Sequence, residues 1–189
     1  HVANTMPAPY YRFDGVDDLI NLGNDTDLDL GTGDGTYLVR FRNDGNDGVV
    51  NTILQNYDGT TKDQQFLSIE GSGYLQLRIG ENNVTATANA SGTDVGADGL
   101  WHTAVFVIDR DIATGLKIYL DGVEESYSLQ EDPSGLTGAI AATGVKYIGT
   151  SWAGSNNWFA GEISDFIFYN KALSATEVKE LSSGASVPF

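Results

Sequence analysis

Acidic side chains are the most numerous groups that could do chemistry, and their spacing limits what that chemistry is. A retaining glycosidase needs two carboxyl groups about 5–5.5 Å apart, and on a β-strand only residues at alternating positions face the same cleft. No predicted strand carries acidic residues in this pattern. Glu162 and Asp165 are three positions apart, which predicts opposite faces, and the adjacent Glu124 and Glu125 also diverge. We therefore expect neither glycoside hydrolase nor polysaccharide lyase activity.

Other catalytic groups are scarce. The chain has no cysteine, which rules out disulfides, thiolate zinc sites and a cysteine nucleophile. Its histidines are His1, at the end of the sequence, and His102, directly after Trp101. A Ser-His-Asp triad stays open, but no Gly-x-Ser-x-Gly turn indicates one. The sequence therefore predicts a protein that is not an enzyme.

Aromatic and amide side chains are concentrated in one short segment near the C-terminus. Trp152 and Trp158 enclose it, and Asn156 and Asn157 lie between them. Sugar recognition uses an aromatic face that stacks on the ring and amide groups that meet its hydroxyls. The segment therefore predicts a carbohydrate-binding loop with Trp152 as the stacking platform. In an alternative that stays open, Trp158 begins the last strand and packs inside.

Two further aromatic positions complete the set of candidates. Tyr57 and Asp58 lie in an Asn-Tyr-Asp-Gly segment and predict a second, smaller ligand-binding loop. Trp101 precedes a nearly continuous apolar run, so we expect its side chain in the hydrophobic core.

The net charge of the chain excludes some classes of binding partner. Lys and Arg number 10 against 26 Asp and Glu, for a formal net charge of −16. Such a surface repels phosphate backbones and anionic membranes, and no apolar run approaches the ~18 residues of a membrane span. We expect no nucleic-acid partner and no membrane insertion. The acidic excess has two interpretations, a solvated surface or ligands for a hard cation, and both can hold together.

Short alternating runs separated by glycine-containing turns predict the strands that position these groups. The predicted strands are residues 36–42, 49–57, 66–69, 74–79, 84–88, 101–108, 116–120, 124–127, 146–148 and 159–169. Asp121-Gly122 predicts a type I′ hairpin turn. Ser174 and Glu177 form a capping-box pattern that predicts a short helix up to Leu181. The sequence thus predicts an all-β fold, a two-sheet antiparallel β-sandwich with one short C-terminal helix.

Four segments together resemble a known family. They are Tyr11–Gly23 (YRFDGVDDLINLG), Leu100–Arg110 (LWHTAVFVIDR), Gly115–Glu125 (GLKIYLDGVEE) and Phe159–Leu181 (FAGEISDFIFYNKALSATEVKEL). In this order they resemble the laminin-G-like members of the concanavalin A-like lectin/glucanase superfamily. The resemblance implies a concanavalin A-like jelly roll. We expect residues 1–189 to be one laminin-G-like lectin domain, cut from a larger protein.

The resemblance also implies a calcium site. Many members of the family hold one structural Ca²⁺ with an Asp on the last long strand and carbonyls of a glycine-containing loop. The matching positions in this sequence are Asp165, Asp14, Asp44 and Gly45. Asp165 also interrupts an apolar strand, where a carboxylate must face water or a compensating charge.

These expectations combine into one function. We expect a non-catalytic, calcium-stabilised, lectin-like module that binds a polysaccharide or cell-surface glycan. The lack of cysteine favours a bacterial extracellular or cell-surface protein, either an adhesin or a polysaccharide-degrading enzyme. The alternative is a protein- or peptide-binding module, with a host or matrix protein as partner, or an architectural spacer on the same fold.

Overall fold

The computed structural model describes residues 9–24, 26–45, 48–57, 64–140, 144–151 and 157–183, with only the backbone described at Tyr57. Within these ranges the chain forms thirteen strands and one helix. The strands are β1 (Tyr11–Asp14), β2 (Ile20–Gly23), β3 (Gly35–Asn43), β4 (Asn51–Tyr57), β5 (Gln64–Ile69), β6 (Leu75–Glu81), β7 (Val84–Ala90), β8 (Trp101–Ile108), β9 (Leu116–Leu120), β10 (Val123–Glu124), β11 (Tyr127–Gln130), β12 (Lys146–Ile148) and β13 (Ala160–Tyr169). The helix is α1 (Ala175–Ser182).

The strands form two antiparallel sheets. The six-stranded sheet has the order β1-β13-β3-β8-β9-β10, and the seven-stranded sheet has the order β11-β7-β6-β5-β4-β12-β2. Neighbours in sequence often pair through short turns, whereas β13 returns to lie between β1 and β3. The predicted fold class, an antiparallel β-sandwich with one short C-terminal helix, is confirmed.

The core lies between the sheets because side chains alternate along each strand. On β3, Tyr37, Val39 and Phe41 have no exposed surface and pack inside the sandwich. The intervening Arg40 and Arg42 lie on the outer face, where both form ion pairs. Strand β3 therefore presents one face to the core and the other outward.

Helix α1 covers part of the outer face of the six-stranded sheet. Val178 and Leu173 pack there against Leu38, Val105 and Tyr119 in a second, smaller apolar cluster. The predicted capping box is confirmed. The Ser174 hydroxyl accepts from the Glu177 N–H, and the Glu177 carboxylate accepts from the Ser174 N–H at 2.8 Å.

Two local predictions have different outcomes. Asp121 and Gly122 both adopt positive φ, 49° and 84°, as the predicted type I′ turn requires. Trp101, predicted in the core, is only half-buried. It pairs across the sheet with Arg42, on the outer face, and its ring centroid lies 5.8 Å from that of Tyr10. The place of Trp101 ahead of an apolar run in the sequence does not show which face of the sheet its side chain occupies.

Among the described residues, no helix has the length and apolar character needed to span a bilayer.

Candidate functional site

A row of side chains crosses the outer face of the seven-stranded sheet. Directly opposed residues on antiparallel strands point to the same side of a sheet. The register therefore places six side chains in one line across β2, β12, β4, β5, β6 and β7: Asn21, Tyr147, Gln55, Phe66, Arg78 and Thr87. Neighbouring positions on β5 and β6, such as Leu67 and Leu77, face the core instead.

A second row lies next to the first and is entirely polar. It consists of Thr52, Ser68, Gln76 and Asn89 on β4 to β7. The Gln76 Nε2 donates to Asn89 Oδ1 at 2.9 Å, and the Ser68 hydroxyl donates to Glu70 Oε1 at 3.1 Å. This row of the outer face thus carries only amides and hydroxyls.

Members of both rows line a groove of about 180 Å³. Its walls are formed by Val50, Gln55, Gln64, Phe66, Glu70, Gln76, Arg78 and Asn157. Pockets for drug-sized ligands enclose about 300–1,000 Å³ and are mostly apolar. This groove is smaller and mostly polar, so it suits one hydroxyl-rich unit of a longer ligand.

Arg78 is held in a fixed position at one end of the groove. Its guanidinium carbon lies 5.8 Å from the centre of the Phe66 ring. Its Nε donates to Thr87 Oγ1 at 3.4 Å. Neither terminal nitrogen of this guanidinium has a carboxylate partner in the described part of the chain, so both can donate to a ligand.

Two buried acceptors of the second row, one of them beside Arg78, lack a donor among the described residues. Gln76 is 4% exposed and its Oε1 has no hydrogen-bond partner, and the same is true of the Thr52 hydroxyl oxygen. Leaving a buried acceptor unpaired costs about 1–3 kcal/mol. Such groups are rare in native proteins unless water or a ligand supplies the missing donor.

The predicted binding loop reaches the edge of this groove. Asn157 lines the groove, has a positive φ of 53°, and its carbonyl accepts from the Thr52 N–H at 3.1 Å. Trp158 is half-buried. Trp152, Asn156 and Asp58 lie outside the described residues.

Tyr57 is described by its backbone alone. It ends β4 opposite Gln64, and Gln64 lines the groove. Both predicted ligand-binding segments therefore adjoin the same groove through a described neighbour.

The predicted calcium ligands do not converge on one point. Asp14 and Asp44 flank Ala160 from the two strands beside β13. Asp165 lies five positions further along β13 than Ala160, which is roughly 16 Å at about 3.3 Å per residue. Its carboxylate pairs with Arg40 at 3.8 Å and accepts from the Ser164 hydroxyl at 3.0 Å.

The remaining predicted ligands have local partners. Asp44 pairs with Arg42 at 3.2 Å, and the Gly45 N–H donates to Asn43 Oδ1 at 3.0 Å. Asp14 accepts from the Val16 N–H at 2.8 Å within a tight turn. Backbone hydrogen bonds, first that of Val16, lower the pKa of the Asp14 carboxyl.

Two clusters of three carboxylates occur among the described residues. Asp14, Asp17 and Asp18 have oxygens within 4.8 Å of one another, and all three are exposed. Asp34, Asp109 and Asp111 form a similar group, in which Asp34 also accepts from a backbone N–H at 2.8 Å. The first cluster includes one predicted calcium ligand.

The register corrects the prediction that Glu162 and Asp165 face opposite sides. The pairing of β13 with β3 skips Ser164, so Glu162 opposes Arg42 and Asp165 opposes Arg40. Because Arg40 and Arg42 share a face, the irregularity brings both acids to the outer side. Glu162 is 2% exposed and lies 2.7 Å from the Arg42 Nε. Both carboxylates are thus neutralised by arginines, which does not suit a general acid and base.

His102 is held between two carboxylates. Its Nδ1 lies 2.8 Å from Asp121 and its Nε2 lies 2.8 Å from Asp98. The hydrogen bond with Asp121, the largest effect, raises the pKa of the imidazole despite its partial burial. Both nitrogens donate only when the ring is protonated. His102 therefore ties the segment before β8 to the β9–β10 turn, which is a structural role.

Sequence reasoning missed most of the groove residues. The missed residues are Val50, Gln55, Gln64, Phe66, Glu70, Gln76 and Arg78. The available signal was the polar half of the alternation, since Gln76 and Arg78 alternate with the apolar Leu75, Leu77 and Ile79. Alternation alone shows an outer face, but only the register shows that these side chains stand side by side.

Solved structures share the fold at low sequence identity. A native heptameric SAP-like pentraxin from Limulus polyphemus is 16% identical with a TM-score of 0.66, and the match covers 93% of this chain and 82% of that one. The Ruminococcus gnavus IT-sialidase CBM40 bound to α2,3-sialyllactose is 14% identical with a TM-score of 0.69, covering 92% and 96%. Mouse laminin α1 domains LG4-5 are 15% identical with a TM-score of 0.62, covering 89% and 43%.

No curated protein sequence matches the chain. A laminin G-type family model, described as the concanavalin A-like lectin/glucanases superfamily, matches residues 14–179. The matched range runs from the end of β1 into α1 and includes both sheets and the groove. The chain therefore belongs to the laminin-G-like branch of the concanavalin A-like lectin/glucanase superfamily.

Proposed function

We propose that this protein is a non-catalytic carbohydrate-binding module and that its ligand lies in the groove on the seven-stranded sheet. The observation that carries the proposal is the groove lining, in which four amide side chains, one carboxylate and one arginine surround a single aromatic ring. Amide groups both donate and accept, which matches the hydroxyls of a sugar. The groove is too small for a large apolar ligand and has the polarity of a sugar unit.

The architecture supports this location. Helix α1 covers part of the outer face of the other sheet, whereas the groove lies on the outer face of the seven-stranded sheet. A carbohydrate-binding module that shares the fold, the CBM40 of the Ruminococcus gnavus sialidase, is seen with sialyllactose. Because Asn157 lines the groove, the proposal includes the segment before it, with Trp152 as the stacking platform and Asn156 as a hydrogen-bonding partner.

Single substitutions in the groove, or in the predicted binding loop before Asn157, are expected to weaken glycan binding without unfolding the domain. Gln64→Ala removes one amide, and a hydrogen bond contributes about 0.5–1.5 kcal/mol. Trp152→Ala removes a stacking face that contributes a similar amount beyond its buried area. Since 1.4 kcal/mol is tenfold in affinity, each change should weaken binding up to about tenfold. A glycan array followed by calorimetric titration of the best ligand measures this.

Asn170→Ala is the matched control, because this exposed amide lies just after β13 and away from the groove. It should bind like the wild type. Full-strength binding by a folded Gln64→Ala protein would remove the groove from the proposal. If the array shows no glycan bound at all, the alternative of a protein- or peptide-binding or spacer module takes its place.

The proposal extends to Ca²⁺ as a stabilising ion. The support is the net charge of −16 and the close carboxylates of Asp14, Asp17 and Asp18. Ca²⁺ prefers six to eight oxygen ligands, and an ion that binds only the folded state raises its stability. The melting temperature should therefore rise when millimolar Ca²⁺ replaces EDTA.

Asp14→Asn should reduce this rise, because the amide keeps the oxygen that accepts from Val16 and removes one charge. Asp165→Asn serves as the comparison, since Asp165 was a predicted ligand but pairs with Arg40. Superimposable melting curves in Ca²⁺ and EDTA would exclude the ion. If Asp165→Asn loses the Ca²⁺-dependent rise in melting temperature and Asp14→Asn keeps it, the calcium site is on β13 instead.

The chemistry and composition together suit an extracellular setting. We assign the module to a bacterial secreted or cell-surface protein, such as an adhesin or a polysaccharide-degrading enzyme in which another domain does the catalysis. The groove would then hold the parent protein on its polysaccharide or on a cell-surface glycan.

A further inference from the structure

Arg78 differs from the other buried or half-buried cationic side chains in having no ion-pair partner among the described residues. Those with described partners each face a carboxylate: Arg42 with Glu162 at 2.7 Å, Arg110 with Glu81 at 3.2 Å and Lys146 with Asp29 at 3.0 Å. Arg78 is half-buried, yet no described carboxylate pairs with it. In a chain with 26 acidic and 10 basic residues, a partner was abundantly available.

The free nitrogens of Arg78 are ordered in advance. The Phe66 ring at 5.8 Å and the Thr87 hydroxyl at 3.4 Å hold the guanidinium by its face and by Nε. A group that is already ordered loses less conformational freedom when a ligand arrives. The planar fork of a guanidinium matches the two oxygens of a carboxylate.

The groove is also polarised along its length. Because Phe66 opposes Arg78 and Ser68 opposes Gln76, the order along β5 and β6 is Arg78, then Gln76, then Glu70 just beyond the strand. The distance from Phe66 to Glu70 is four residues, about 13 Å. One end of the groove is therefore cationic, the other anionic, and the amide of Gln76 lies between them.

We propose that the groove binds an acidic sugar unit, with its carboxylate on Arg78 and its hydroxyls toward Gln76 and Glu70. The inference rests on the proposed function and names its substrate class. A carboxylate at the Glu70 end would meet a like charge, so the polarity of the groove also fixes the direction of the ligand. The unpaired Oε1 of Gln76 marks the amide that still needs a donor.

The test compares uronic-acid oligosaccharides with their carboxyl-reduced, neutral counterparts. Oligogalacturonate, oligoalginate and hyaluronan fragments are each titrated beside the reduced form. At least one uronate should bind about tenfold more tightly than its reduced form. That preference should shrink as NaCl rises, because salt screens the ion pair, while binding of the reduced form should change little.

Arg78→Met should abolish the preference, since the side chain keeps its apolar stem against Phe66 but loses the charge. Arg78→Lys keeps the charge without the fork and should retain part of the preference. Arg12→Met is the matched control, because Arg12 is exposed on β1 of the other sheet, and it should bind like the wild type.

Equal binding of every uronate and its reduced form would overturn the acidic-sugar assignment and leave the glycan-binding proposal in place. The acidic-sugar assignment also fails if Arg78→Met weakens binding of both forms equally. Tighter Arg78-dependent binding of a tri-aspartate peptide would assign the carboxylate to a peptide and overturn the sugar. If no uronate and no reduced form binds, the acidic-sugar assignment fails, and the glycan array alone decides whether the proposed function fails with it. The reduced-sugar and salt comparisons need no variant, so they decide the question even if Arg78→Met does not fold.

Discussion

Replacing Arg110 with methionine is expected to lower the free energy of unfolding by about 3–5 kcal/mol. Arg110 is 6% exposed, and its guanidinium donates to the carbonyls of Gly31, Leu136 and Gly138 as well as to the Glu81 carboxylate. Burial lowers the pKa of the guanidinium. Without it, Glu81 keeps the Gly138 N–H at 2.7 Å but has no compensating charge, and three carbonyls lose their donor.

Urea unfolding of the variant measures this loss. Lys117→Met is the control, because the Lys117–Glu124 pair is at 3.5 Å and about a third or more exposed on both sides, so it should cost less than about 1 kcal/mol. Adding Glu81→Gln to Arg110→Met should recover part of the loss, since the unpaired charge is then removed. A loss below about 1 kcal/mol in Arg110→Met would show that this pair contributes no more than a surface pair.

The second large effect is expected at the buried pair of Lys146 and Asp29. The Lys146 side chain is 1% exposed, and its Nζ lies 3.0 Å from Asp29 Oδ1. The pair is held by charge more than by alignment, since Nζ has no well-directed hydrogen bond. The Asn56 amide adds only a long contact to Asp29, at 3.4 Å. Lys146→Met should therefore leave the carboxylate of Asp29, whose side chain is only 12% exposed, nearly uncompensated and cost about 3–5 kcal/mol.

Lys171→Met is the matched comparison, since the Lys171 side chain is 58% exposed and its pair with Glu177 is on the surface. The double variant Lys146→Met/Asp29→Asn should be more stable than Lys146→Met alone. If the double variant is instead the less stable of the two, Asp29 is held by partners other than Lys146.

Much of the fold could be predicted from local sequence signals. Ser174 and Glu177 specify a helix start through their own backbone contacts, and Asp121-Gly122 specifies a turn through its own φ angles. Because these features depend on residues only a few positions apart, they can be predicted directly from the sequence. Long alternating runs, such as that of β3, also state which side chains enter a core.

The candidate site depends on contacts that are distant in sequence. Tyr147 comes next to Gln55 only because β12 inserts between β4 and β2. Arg78 was visible as a polar residue on β6, but its position over Phe66 follows from the β5–β6 register. The same dependence explains Glu162 and Asp165, whose relative orientation reverses because the pairing skips Ser164.

The predicted calcium ligands show the limit of a resemblance. It identified Asp14 and Asp165 as equivalent positions on the first and last strands, which do pair. Pairing alone does not bring two side chains together, because β1 reaches only as far as Ile163 on β13. Asp165 lies beyond that point, next to Arg40, where charge compensation needs no ion.

The lengths of the outermost strands have a consequence for behaviour at high concentration. Each sheet ends on both sides with a short strand: β1 and β10, of four and two residues, and β11 and β2, of four each. An exposed edge offers unpaired backbone groups to another chain, and short edges offer few of them. With a net charge of −16 opposing close approach, many copies crowded on one surface should stay separate folded units and should not fuse through their sheets.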